Sequence, residues 1–250
     1  MPIEINHLNA FINTLPQFQN QGNFGHNPNN FLNGIINRIG VINTSQSLIQ
    51  IQNTLPNHVL NRNQVFAICN NNALSIAYKV VCVFAWGGMR QSTTGSDLFF
   101  TNWNNYETEL DQIIQNFQAN VYTRSWAYEK LKRINMQGCR PAYYTKLLFF
   151  FGNGNTYIMD QWTAKSIELL WDINDRIEIV FDNGGNYVQA NNHSGLYEEF
   201  CNRVETLTLT VNNQLNSNYT PTQIEEMIFS NGANLGQIVG AWRSYVQTNW

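Results

Sequence analysis

Charged side chains are scarce, 12% of the 250 residues, and the formal net charge is only −3. A chain so thinly charged is not an extended acidic or basic tail, and its total charge gives no support to a polyanion partner. Cysteine is scarce too. Cys69, Cys82, Cys139 and Cys201 stand far apart with no Cys-x-x-Cys pair. That spacing argues against a zinc site, an iron–sulfur cluster or a secreted disulfide framework. Reduced, buried thiols in a cytoplasmic protein are the expectation, and no motif calls for a metal or a cofactor. The first residues carry no basic region leading into an apolar run, so no signal peptide is expected. The longest apolar stretch, Ala73 to Trp86, is too short to span a bilayer and contains Lys79. It reads as a core helix, with no membrane partner. No internal repeat is evident.

What is present is a large apolar fraction, 43%, enough at this length to bury a core without disulfide staples. Neutral polar residues must then cover much of the surface, and asparagine does so in clusters such as Asn70-Asn71-Asn72 and Asn191-Asn192. The sparse charge is unevenly placed. Seven of the 14 basic residues (Arg124, Lys130, Lys132, Arg133, Arg140, Lys146 and Lys165) fall in one window that holds only Glu129 and Asp160 as acids. The window carries about +5 while the rest is acidic, and screening lets such a local excess engage phosphates. An ordinary solvated helix face is the plain alternative.

Apolar spacing and stop signals predict helices over Phe31–Ile42, Ser45–Ile51, Gln64–Asn70, Ala73–Trp86, Trp103–Phe117, Thr123–Ile134, Pro141–Phe151, Gln161–Trp171, Leu196–Leu209, Pro221–Phe229 and Leu235–Thr248. Loop signals stand at Gly22-Asn23 and Asn27-Pro28. Ile177–Phe181, Asp182-Asn183-Gly184-Gly185 and Tyr187–Gln189 read as a small β-hairpin insertion. The inventory is all-α: two helical subdomains sharing a cleft, within one domain over residues 1–250.

The segment richest in chemistry runs from Gly138 to Lys165. Gly138-Cys139-Arg140-Pro141 is a tight turn in which proline opens a helix. Tyr144-Thr145-Lys146-Leu147 places a lysine on that helix, and Gly152 to Asn155 ends it. Tyr157-Ile158-Met159-Asp160-Gln161-Trp162 then runs extended to an aspartate that begins the next helix. In the order of its parts this segment resembles the helix-hairpin-helix DNA glycosylases, most closely the lysine–aspartate branch that includes 8-oxoguanine glycosylases. The resemblance covers about residues 123–171. It departs in the hairpin, which keeps one glycine, Gly138, and has Arg140 near the family's usual nucleophile position, with Lys146 further along the helix.

The resemblance implies a monomeric enzyme that cuts the N-glycosidic bond of a damaged or modified base flipped out of double-stranded DNA. A lysine amine attacks the sugar and forms a Schiff base, and a carboxylate stabilises the positive charge that develops there. Lys146 and Asp160 are the candidates for those roles. Gly138, Arg140, Lys132, Arg133, Lys165 and Arg90 are the candidates for DNA contact. Stacking on the flipped base falls to Trp86, Trp103, Phe229 or Trp242. Each also has a plainer reading: Asp160 as a helix cap, Lys146 as a snorkelling surface lysine, the tryptophans as core. The rival function is a helix-hairpin-helix module that binds DNA without excising anything.

Overall fold

The computed structural model describes residues 3–17, 25–152, 154–230 and 240–250. Among these lie thirteen α-helices and no sheet. In chain order they are α1 (Ile5–Thr14), α2 (Pro28–Ile39), α3 (Gln46–Ile51), α4 (Arg62–Cys69), α5 (Ile76–Trp86), α6 (Ser96–Thr101) and α7 (Trp103–Gln118). There follow α8 (Arg124–Arg133), α9 (Pro141–Phe151), α10 (Gln161–Leu170), α11 (Ser194–Leu215), α12 (Pro221–Ser230) and α13 (Ala241–Asn249). The chain divides into two units, Asn23–Asn153 and the pair of segments Met1–Gly22 and Gly154–Trp250.

In the unit Asn23–Asn153 the expected core helix is α5. Ser75 caps it by accepting the Tyr78 amide, ten of its eleven residues are buried, and it stops at Gly87. It packs against α2, α3, α4, α7 and α9. Burial on every side explains why its sequence carries almost no polar face. The second helix of the hairpin, α9, is buried from Tyr144 to Phe151. Phe149 and Phe150 pack on Phe66 with ring centroids 5.0 and 4.9 Å away. Two helices went unforeseen. One is the short α6, held by burial of Phe99 and Phe100 and by an ion pair from Arg38 on α2 to Asp97.

The other is α1, in the second unit, whose asparagine-rich sequence hides an apolar edge. Leu8 and Phe11 are buried on it, and Phe11 meets Trp242 at 5.0 Å. The centre of this unit is α10, packed against α1, α11, α12 and α13. Ser166 joins three of these elements: its hydroxyl donates to the Ile228 carbonyl at 3.0 Å and accepts from the Trp242 indole at 2.9 Å. Helix α11 runs six residues beyond the expected Leu209. It ends at Asn216, a left-handed residue, where the Asn212 side chain ties the following turn by bonding Tyr219.

The expected β-hairpin insertion shrinks to one antiparallel bridge, Phe181 to Val188. The Asp182 carboxylate accepts from the amides of Asn186 and Tyr187, so a side chain satisfies groups that a longer ladder would have paired. The Gly22-Asn23 loop signal lies outside the described residues. So do residues 235–239 of the last expected helix, whose described part is α13.

Candidate active site

The turn between α8 and α9 is a hairpin built around Gly138. Thr123 caps α8 and Pro141 is the first residue of α9. Between them Asn135 and Gly138 take positive φ, 54° and 75°, and the Cys139 amide closes the turn on the Met136 carbonyl at 3.0 Å. A Cβ on Gly138 would lie 2.3 Å from the Gly95 carbonyl oxygen, so the turn rests backbone to backbone on the loop that starts α6. That loop folds back in turn, with the Arg90 carbonyl accepting the Ser96 amide at 3.2 Å. Gly138 and Arg90, singled out separately in the sequence, are thereby joined through Gly95. The two hairpin helices lock where Tyr128 meets Tyr144 edge to face at 5.2 Å.

Lys146 lies one and a half turns into α9 and is only 8% exposed. Its stem lies against the bare Cα of Gly87, where a Cβ would stand 2.7 Å from Cδ and 2.9 Å from Cε. Its ammonium donates to the Ala142 carbonyl at 3.2 Å and sits 5.4 Å from the centre of the Tyr143 ring. Burial pushes the thiol of nearby Cys139 up, and the Lys146 charge pulls it the other way. The segment Trp86 to Arg90 therefore adjoins the lysine, although its tryptophan does not face outward. Trp86 is 7% exposed, edge-on to Phe150 at 4.7 Å, with the Arg62 guanidinium 5.6 Å above it.

In the other unit Asp160 is the N-cap of α10. Its Oδ1 accepts the amides of Trp162 at 2.8 Å and Thr163 at 3.1 Å, while its own amide donates to the Thr163 hydroxyl at 3.0 Å. The bonds to its carboxylate all use one oxygen. Oδ2 has no hydrogen bond among the described residues, and the residue is half-buried. A fixed cap with one oxygen left over can face a developing cation without first reorganising.

The other predicted residues divide. Arg133 and Arg140 are exposed and Lys132 is half-exposed, all on the hairpin, with Arg133 also reaching Glu129 at 3.0 Å. Arg90 is exposed. The basic window is not one face, however. Arg124, Lys146 and Lys165 are all buried, and Lys165 belongs to the second unit. There its ammonium lies 3.9 Å from the Trp250 ring centre, 5.6 Å from Trp162 and 5.9 Å from Phe181. Burial lowers its pKa from the ordinary lysine value, with Asp182 and Glu168 pulling it back. A lysine enclosed by rings is poorly placed for a phosphate.

Among the base-stacking candidates, Trp103 and Trp242 have no exposed surface. Their indoles donate to Ser47 and Ser166, at 3.1 and 2.9 Å, and Trp242 is already stacked on Tyr245. Both are core anchors, because a face already covered cannot take a base without repacking. Phe229 is half-buried, with the Arg243 guanidinium 5.0 Å over its ring. Sequence reasoning missed Gly95, which a Thr-Thr-Gly-Ser turn could have flagged, and Arg243, which no local signal marks. Among the described residues no three His, Cys, Asp or Glu side chains gather as around a metal, and no helix is long and apolar enough to cross a membrane.

Residues 42–229, about three quarters of the chain, match the model of the family described as "Putative 8-oxoguanine DNA glycosylase OGG-like protein". The chain belongs to this family. The match spans the hairpin, Lys146 and Asp160, and ends at Phe229, before α13. Membership in the OGG-like family makes DNA the substrate and base release the class of reaction. No curated protein and no solved structure was found to match the chain.

Proposed function

We propose that this OGG-like protein releases a damaged or modified base from duplex DNA, with Lys146 as nucleophile and Asp160 as the carboxylate that stabilises the cationic sugar. The amine of Lys146, in its neutral form, bonds to the anomeric carbon as the bond to the base breaks. The departing base takes up the proton that the amine loses, and opening of the sugar ring leaves a Schiff base. Asp160 acts through its charge, in a site where water is displaced by substrate. The two residues lie in different units, so each role rests on its own surroundings.

The observation that carries the reading is the unequal use of the two Asp160 oxygens: one is engaged by the helix cap and the other has no hydrogen bond among the described residues. Lys146, on the second helix of the hairpin, adds a buried side chain whose stem lies against Gly87. Its bond to the Ala142 carbonyl must break before it can attack. That bond also favours a second reading, in which Lys146 only packs and Asp160 assists a water, leaving an intact abasic site.

Borohydride trapping on duplexes carrying one 8-oxoguanine, the base in the family's description, decides between them. Wild type is expected to form a covalent protein–DNA adduct at Lys146. Lys146→Gln is expected to lose both the adduct and nearly all base release. Base release without any adduct would establish the second reading. Asp160→Asn, which still caps α10, is expected to bind DNA normally and release base slowly; near-normal turnover would reduce Asp160 to a cap. A parallel panel with bulky hypermodified bases of the kind found in phage DNA separates repair from antiviral defence.

A further inference from the structure

Arg243, on α13, lies outside the segment that matches the family, yet its guanidinium lies over the ring of Trp162, whose amide donates to the candidate carboxylate. It lies 4.7 Å from the ring centre of Trp162 and 5.0 Å from that of Phe229, and its Nη2 donates to the Phe229 carbonyl at 2.8 Å. Its Nε is buried and has no hydrogen-bond partner among the described residues. Packing between two rings would be served as well by an apolar side chain, without the cost of desolvating a charge and leaving a donor unpaired. A cation held there at a cost points to electrostatics. Burial lowers the Arg243 pKa from its ordinary value, and the opposing pull comes from the charge of Asp160.

The stack also has a mechanical consequence. Trp162, whose ring Arg243 covers, is the residue whose amide donates to Asp160 Oδ1 at 2.8 Å. We propose that Arg243 is a positioning residue for Asp160: its stacked guanidinium clamps Trp162, and so the cap that aims the carboxylate, while its charge balances that carboxylate before substrate arrives. The proposal rests on the reading that Asp160 serves base release. It extends that reading from one residue to a group of four, Asp160, Trp162, Phe229 and Arg243, all within the unit that contains α10.

The test compares Arg243→Lys and Arg243→Gln with wild type by four measurements. They are amide hydrogen exchange at Trp162 and Thr163, single-turnover base release from a duplex with one 8-oxoguanine, affinity for that duplex, and thermal stability. Arg243→Gln is expected to exchange the two amides faster and to release base about 10- to 100-fold more slowly, as for a slightly misaimed catalytic group. DNA affinity is expected to stay unchanged. Arg243→Lys keeps the charge without the plane, and is expected to recover part of the rate while the amides still exchange fast. Unchanged exchange in Arg243→Gln overturns the clamp. A rate loss that follows DNA affinity, or that follows melting temperature equally in both variants, overturns the positioning role in favour of a phosphate contact or a packing role. If wild type releases no base from this duplex, the functional reading fails for 8-oxoguanine, and the exchange measurement still decides whether Arg243 holds the cap.

Discussion

At Gly138 a hydrogen in place of a methyl group decides whether the hairpin turn can touch the loop before α6. Two effects act together there: φ is +75°, and an added Cβ would meet the Gly95 carbonyl oxygen at 2.3 Å. Left-handed strain alone costs about 1–3 kcal/mol, and the backbone clash cannot be relieved by turning a side chain. Gly138→Ala is therefore expected to lose about 2 kcal/mol or more in urea unfolding. Because the turn also sets where α9 begins, base release should fall by more than stability predicts. An Ala variant as stable as wild type would show that the turn can rearrange. Lys146 and Gly87 follow the same logic of space, since the lysine stem occupies what a Cβ at Gly87 would fill.

Among the elements, α6 shows how a short helix depends on what surrounds it. Six residues are too few to hold a helix alone, and it is fastened by the Arg38 guanidinium. Nε and Nη2 of Arg38 donate to the two oxygens of Asp97 at 2.8 and 2.7 Å, and the Ser96 hydroxyl adds a bond at 3.1 Å. The hydrogen bond from Arg38 holds the Asp97 carboxyl below its ordinary value, burial opposes it, and the Ser96 bond and the Arg38 charge help. A carboxylate with a lowered folded value stabilises the fold fully above its unfolded value, about 3.9. That contribution is lost as pH falls through the lower, folded value. Melting temperature should thus drop on acidification below about pH 4, and Asp97→Asn should lie lower at neutral pH with a flatter acid limb. Parallel acid limbs would mean that other carboxylates govern acid unfolding.

For the whole molecule, a net charge of −3 has to be reconciled with a DNA substrate. Three of the seven window cations are buried and Lys130 lies over the Trp126 ring at 5.1 Å, so the phosphate-binding role we propose falls to the other three, Lys132, Arg133 and Arg140 on the hairpin. Removing all three charges should weaken binding to every duplex and reduce the slope of log affinity against log salt by about one for each cation that meets a phosphate. Lys165→Gln should leave that slope unchanged, because its ammonium is already enclosed by Trp162, Phe181 and Trp250. An unchanged slope in the triple variant would move the DNA face elsewhere.

Local chemistry determined a good deal from sequence alone. The largely apolar run ending at Gly87 read as a buried helix, Pro141 as the opening of one, and Asp160 before Gln161 as a cap. The all-α class, the hairpin and the family followed from such residues in order. Tertiary structure decided what periodicity cannot express. It put asparagine-rich α1 into the core through Leu8 and Phe11, and it turned Trp103 and Trp242 from candidate base platforms into hydrogen-bonded anchors. It also drew Lys165 into a ring of aromatics and laid Arg243 over the Trp162 ring, 81 positions earlier in the chain. The physical reason is the range of the forces involved. Caps, turns and helical faces depend on neighbours within a few residues, whereas the burial and stacking of one side chain depend on surfaces contributed by distant parts of the chain.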